Sequence, residues 1–173
     1  MNRNRAAFAA AILVIFALAF LPRQTVGNAA NLKSQSESSP SSSTEQYVSG
    51  IKDSLLYESS DLEEMGKALT GPDLAAESTL DRAAVKGAGE LDDALAFLTI
   101  YDKMQCAPDR DTAKAALKNR LPIYSSQLNQ QITDVTALLA QQPIFDTQQA
   151  GSRVRDDLRA AKSKLDEIAA SLN

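Results

Sequence analysis

ELDDALAFLTIYDKMQC, residues 90–106, decides how the rest of this chain is read. At 100° per residue, Leu91, Ala94, Leu95, Phe97, Leu98, Ile100, Tyr101 and Met104 spread over roughly 220°. An ordinary surface helix needs an apolar stripe of only about 100°. A helix this apolar must be touched from more than one side, so the segment is expected to be the central helix of a small bundle.

Residues 73–105 form one helical region whose seam is Leu80, Ala84, Gly87, Leu91, Ala94 and Leu98, widened by Leu95 and Met104. Gly87-Ala88-Gly89 weakens it, because a glycine in a helix interior costs about 1 kcal/mol against alanine. A continuous but bent helix is expected there. Before it, Ser43 and Gln46 make a capping box, and Val48, Ile51, Leu55, Leu62, Met65 and Leu69 follow at 3,4 spacing. Gly71-Pro72 should end that helix. After the central segment, Ala107-Pro108-Asp109 reads as a turn, with Asp109 or Asp111 as the next N-cap. The third seam is Leu117, Leu121, Tyr124, Leu128, Val135 and Leu138, and Pro122 inside it predicts a kink or restart. Asp146 and Gln149 cap a last helix with the cleanest repeat: Gly151, Val154, Leu158, Ala161, Leu165, Ile168 and Leu172. Its other face mixes charges of both signs, as a solvated face does.

Four such seams predict an all-α fold, an antiparallel four-helix bundle, with an extended helical hairpin or coiled coil as the alternative architecture. Residues 44–173 are assigned to the bundle domain. Residues 30–43 precede it as a Ser-rich linker, expected to be disordered because it has nothing to bury. It serves either as a tether or as a frayed mature end.

The first 29 residues carry the chain's clearest address. Arg3 and Arg5 precede an uninterrupted apolar run at residues 6–21. Pro22 breaks the run, and Gly27-Asn28-Ala29 offers small residues for cleavage before Ala30. That is the plan of a secretory signal peptide. The alternative is an uncleaved N-terminal anchor formed by residues 6–21. Either way the domain is expected outside the cytoplasm, periplasmic or extracellular. Loss of residues 1–29 removes three arginines and leaves 15 basic against 22 acidic residues, a net charge of −7. Nucleic acid and anionic lipid both select basic surfaces, so neither is an expected partner. No membrane-surface binding is expected beyond that possible anchor.

The 173 residues include no histidine and one cysteine. The commonest general base and metal ligand is therefore missing, and neither an internal disulfide nor a thiolate zinc cluster can form. Phosphate-loop, nucleophile-elbow and calcium-loop spacings do not occur. No catalytic, cofactor-binding or metal-binding residue is assigned, and no cofactor is expected. Glu58, Asp102 and Gln131 are the polar exceptions on the apolar sides. Asp102 reads either as a contact that specifies register or grips a ligand, or as an acid at the bundle's end that pairs with Arg110 or Arg120 or meets water. Cys106 sits at the edge of the central helix's apolar arc, beside the turn. It is either a small apolar filler or an accessible free thiol able to form an intermolecular disulfide.

The function expected from these residues is that of an exported, non-enzymatic helical protein with a structural or protein-interaction role at the cell envelope. Its partner is another protein, or a second copy of itself. The alternative is a binding module holding an apolar or amphipathic small molecule between helices loosened by Pro122 and the glycines. Intact-mass analysis of protein from the producing cell should give a chain starting at or near Ala30. A membrane-retained species keeping residues 1–29 would show that the apolar run is an anchor.

Overall fold

The apolar seams build the fold directly. The computed structural model describes residues 40–141 and 145–172, and the regular structure within them is helical throughout. Its four helices are α1 (Pro40–Gly66), α2 (Gly71–Lys103), α3 (Ala107–Leu139) and α4 (Phe145–Ser171). The leader, the cleavage site and most of the Ser-rich stretch lie outside the described residues.

Polar pairs across the helix boundaries give the topology. Lys52 with Asp92 and Ser59 with Asp81 join α1 to α2, their numbers rising on one helix as they fall on the other. Ser54 with Asp157 and Arg153 with Glu58 join α1 to α4 in the same opposed sense. Ser125 donates to Asp166 between α3 and α4. Neighbouring helices therefore run antiparallel, as an up-down-up-down bundle requires. As its wide apolar arc predicts, α2 touches all three other helices.

The seam of α4 is buried at every predicted position, from Gly151 to Leu172. On α2, Leu80, Ala84, Gly87, Leu91, Ala94 and Leu98 are buried. Leu95, expected in the core, is only partly buried and packs against its side. The opposite diagonals of the bundle are unequal: α2 and α4 meet, whereas α1 and α3 stay farther apart. Two glycines allow this. A Cβ on Gly87 would collide with Leu158 Cδ2 and stand 3.1 Å from Gln131 Oε1. A Cβ on Gly151 would stand 2.9 Å from Leu80 Cδ1 and 2.7 Å from Leu139 Cδ2. Each helix thus sends a leucine into the other's glycine, one heptad apart along the diagonal.

Several boundaries differ from the sequence reading. The first helix starts at Pro40 rather than at the Ser43 box, so residues 40–43 of the proposed linker are helical. Proline suits a first turn, where its missing N–H leaves no bond unmade. That helix stops at Gly66, before Leu69. Ala68 N–H then donates to Met65 O at 3.0 Å and Leu69 N–H to Gly66 O at 3.1 Å, a tighter winding that ends it. Gly71 has φ 60, the left-handed conformation that only glycine adopts cheaply, and Pro72 opens α2 behind it. The cap of α3 is Cys106 rather than Asp109 or Asp111, and Asp109 lies in the first turn. Similarly, Asp146 stands inside the first turn of α4, where the positive helix end favours an acid. No break occurs at Gly87-Ala88-Gly89 or at Pro122. Pro122 is exposed, so the carbonyl it deprives of a partner can turn to water.

The charged face of α4 is less purely solvated than its sequence suggests. Arg153 Nε donates to Glu58 at 2.7 Å, and its NH2 lies 3.3 Å from Asp61. The hydrogen bond from Arg153 gives the buried Glu58 its charge partner and holds the guanidinium more firmly protonated. Asp166 is held below the usual carboxylate range by its bonds from Lys162 and Ser125.

Gly87 and Gly89 make a controlled comparison. Nothing lies within 4 Å of a Cβ on Gly89, which is exposed. Gly89→Ala should stabilise the fold by up to about 1 kcal/mol through helix propensity alone. Gly87→Ala should destabilise it by about 1–3 kcal/mol, because Leu158 is fully buried and must be displaced. Urea titrations of both variants should shift the midpoint in opposite directions.

Candidate interaction surface at the α2–α3 end

The apolar arc of α2 is wider than its neighbours can cover near its C-terminus. Ile100, Met104 and Phe97 lie about 120–180° from Leu91 around the helix, beyond the fully buried stripe. Across from them α3 presents Ala113 and Ala116, whose short side chains leave a notch of about 250 Å³. Ile100 is 46 % exposed at its edge, while Phe97 and Met104 are half-buried in its wall. Asp109 and Thr112 supply the polar side of the lining.

Two arginines of α3 cover the neighbouring aromatic faces. The Arg120 guanidinium carbon lies 5.7 Å from the Phe97 ring centroid, and that of Arg110 lies 5.2 Å from the Tyr101 centroid. Such cation–π contacts hold the aromatic rings in place and put positive charge beside an apolar opening. The combination of an apolar recess, ordered aromatics and flanking guanidiniums resembles the composition of protein-binding patches.

Cys106 borders this region at the N-cap of α3. Its thiol belongs to an exposed residue, which overturns the reading of Cys106 as a buried filler. The reason is local: Cys106 is the N-cap residue at the turn between α2 and α3, where its carbonyl accepts the first helical bond from Arg110 N–H at 2.9 Å, and it lies off the buried seams. Asp102 is likewise exposed and does not enter the apolar side of α2. Arg110 and Arg120 stack on Tyr101 and Phe97. Glu58 and Gln131, by contrast, are both buried. Among the described residues both amide atoms of Gln131 lack a hydrogen-bond partner, and so does Glu58 Oε2.

The sequence singles out Cys106 but leaves Ile100, Phe97 and Met104 within the general apolar arc. The distinguishing signal was their angle: Ile100 is about 180° from Leu91, too far round for one seam. Among the described residues, no group of three or more His, Cys, Asp or Glu side chains is placed to hold a metal ion. No helix of the described residues is long and apolar enough to cross a membrane. The two seam glycines hold Leu158 and Leu80 rather than opening a cavity. Neither a family model, a curated protein nor a solved structure matches this chain.

Proposed function

We propose that this chain is an exported, non-enzymatic helical protein with a structural or interaction role at the cell envelope, and that it engages another protein through the α2–α3 end. The observation that carries the reading is the notch beside Ile100, with Arg110 and Arg120 seated on the adjacent aromatics. An apolar side chain of a partner fills such a recess, while the guanidiniums contribute orientation. The sequence supports export through its leader, and the exposed Cys106 supplies a thiol that an oxidising compartment can join to a partner's cysteine or to a second copy.

A second reading, the holding of an apolar small molecule, is favoured by one observation. A crevice of about 190 Å³, lined largely by Leu98, Tyr101, Ile168 and Leu172, opens where the start of α1 meets the ends of α2 and α4. Its volume suits a short alkyl or single-ring group rather than a full lipid.

Non-reducing electrophoresis and native mass spectrometry of protein from the producing cell test both readings. The interaction reading predicts a covalent adduct that collapses on reduction and disappears in Cys106→Ser. Ile100→Asp should lower its yield while leaving the circular dichroism unchanged. A monomeric band in both redox states, with a bound small apolar mass, would replace this reading by the second.

A further inference from the structure

Glu77 is a carboxylate in an unusual place. It lies one turn and a half into α2, yet it is only 5 % exposed, and it has no hydrogen-bond or ion-pair partner among the described residues. Its position depends on Gly66 at the end of α1. A Cβ there would stand 2.8 Å from Glu77 Cδ and Oε2 and 3.0 Å from Oε1, so the carboxylate rests in the space a side chain would take. The side chain is therefore packed away while its unpartnered carboxylate faces the opening beside it, and a carboxylate so held is costly to ionise without a compensating charge.

The surroundings call for a cation. Glu77 lines a cleft of about 490 Å³ between the last turn of α1 and the first half of α2, together with Glu63, Lys67, Leu74 and Asp81. The cleft's lysine is engaged elsewhere, since Lys67 Nζ is bonded to Glu64. Asp81, which accepts the Ser59 hydroxyl, and the exposed Glu63 carry the same charge as Glu77 and oppose its ionisation. Burial, with Asp81 and Glu63 adding to it, pushes the Glu77 carboxyl above its ordinary range. The C-terminal end of α1 contributes partial negative charge from its carbonyls.

We propose that this cleft binds an alkylammonium group, with Glu77 as its buried counter-charge and Leu74 as the support for its alkyl stem. Leu74 is 41 % exposed at the cleft, which offers an apolar surface to methylenes. A divalent metal is the poorer fit, because it draws six or more oxygens to within about 2.6 Å. The described residues assemble no such group. An ammonium carries three donors on a flexible stem and accepts longer, looser spacing. The same chemistry arrives on a free polyamine or on a lysine side chain of a protein. The site lies at the opposite end of α2 from the notch and does not depend on the reading given to that notch.

Carboxyl carbon-13 NMR of the full mature chain tests this with two probes, 1,4-diaminobutane and Nα-acetyl-lysine amide. The free protein should show Glu77 titrating above the ordinary carboxylate range. A saturating amine should lower its midpoint by about one pH unit or more, as an adjacent cation does. Sodium chloride at matched ionic strength should not. Tighter binding of the diamine would identify a free polyamine as the natural source, and tighter binding of the lysine derivative a protein. Glu77→Gln should weaken calorimetric binding of the better probe at least about tenfold, a loss of about 1.4 kcal/mol. A Glu77 midpoint indifferent to both amines, or moved equally by sodium chloride, overturns the proposal, and this wild-type titration decides it even where the variant fails to fold.

Discussion

Between α2 and α4 two leucines and two glycines interlock: Leu80 enters the space at Gly151, and Leu158 enters the space at Gly87. Both leucines are fully buried, and the repeat of seven residues on each helix keeps the two contacts in register. Because this diagonal closes, α1 and α3 each pack into a groove formed by both central helices. Leu55 of α1 and Gln131 of α3 accordingly reach the same point from either side, with Leu55 Cδ1 3.3 Å and Gln131 Oε1 3.1 Å from a Cβ on Gly87. The two glycines cost helix propensity, about 1 kcal/mol each. Close packing of large side chains against them offsets it, since a fully buried leucine is worth about 1.5–3 kcal/mol.

Inside that packing sit polar groups that oppose stability. The Gln131 amide, unpartnered and buried among leucines, costs about 1–3 kcal/mol. Glu58 is better provided for, because Arg153 and Asp61 form a short charged network over it. Both residues lie on seams that would otherwise be uniformly apolar. A shift of either helix by one turn would bury the charge without its arginine or move the amide away from Gly87. Glu58, with its pairing to Arg153, therefore disfavours alternative registers of α1 and α4, at a cost in stability that apolar residues would avoid.

The fold was largely legible because helical periodicity reports on burial. Every seam residue from Gly151 to Leu172 reads as core in the sequence and is core in the structure. Helix ends were less legible. Pro40, Gly66 and Cys106 mark boundaries through backbone geometry that local composition expresses weakly, and the Ser43 capping box competes with them at no visible disadvantage. Pro122 looked disruptive because its intrinsic cost is large, yet tertiary packing on the opposite face carries the helix through. The notch was legible only as an outlying angle, and the Glu77 cleft was not legible. The angle of Ile100 sets it apart from Leu98, but that a recess lies beside it depends on what α3 places opposite, and Glu77 becomes buried only because residue 66 has no side chain. Both depend on pairs distant in sequence.

The diagonal interlock can be isolated from general core packing by a double-mutant cycle. Leu158→Val removes the methyl group that a Cβ on Gly87 would strike, while keeping an apolar side chain in the seam. Chemical denaturation of wild type, Gly87→Ala, Leu158→Val and the double variant should show that Gly87→Ala costs at least about 1 kcal/mol less in the Leu158→Val background, a coupling expected only of residues in contact. Additivity within about 0.5 kcal/mol would mean that the two positions do not meet, and would contradict the diagonal packing on which this account of the bundle rests.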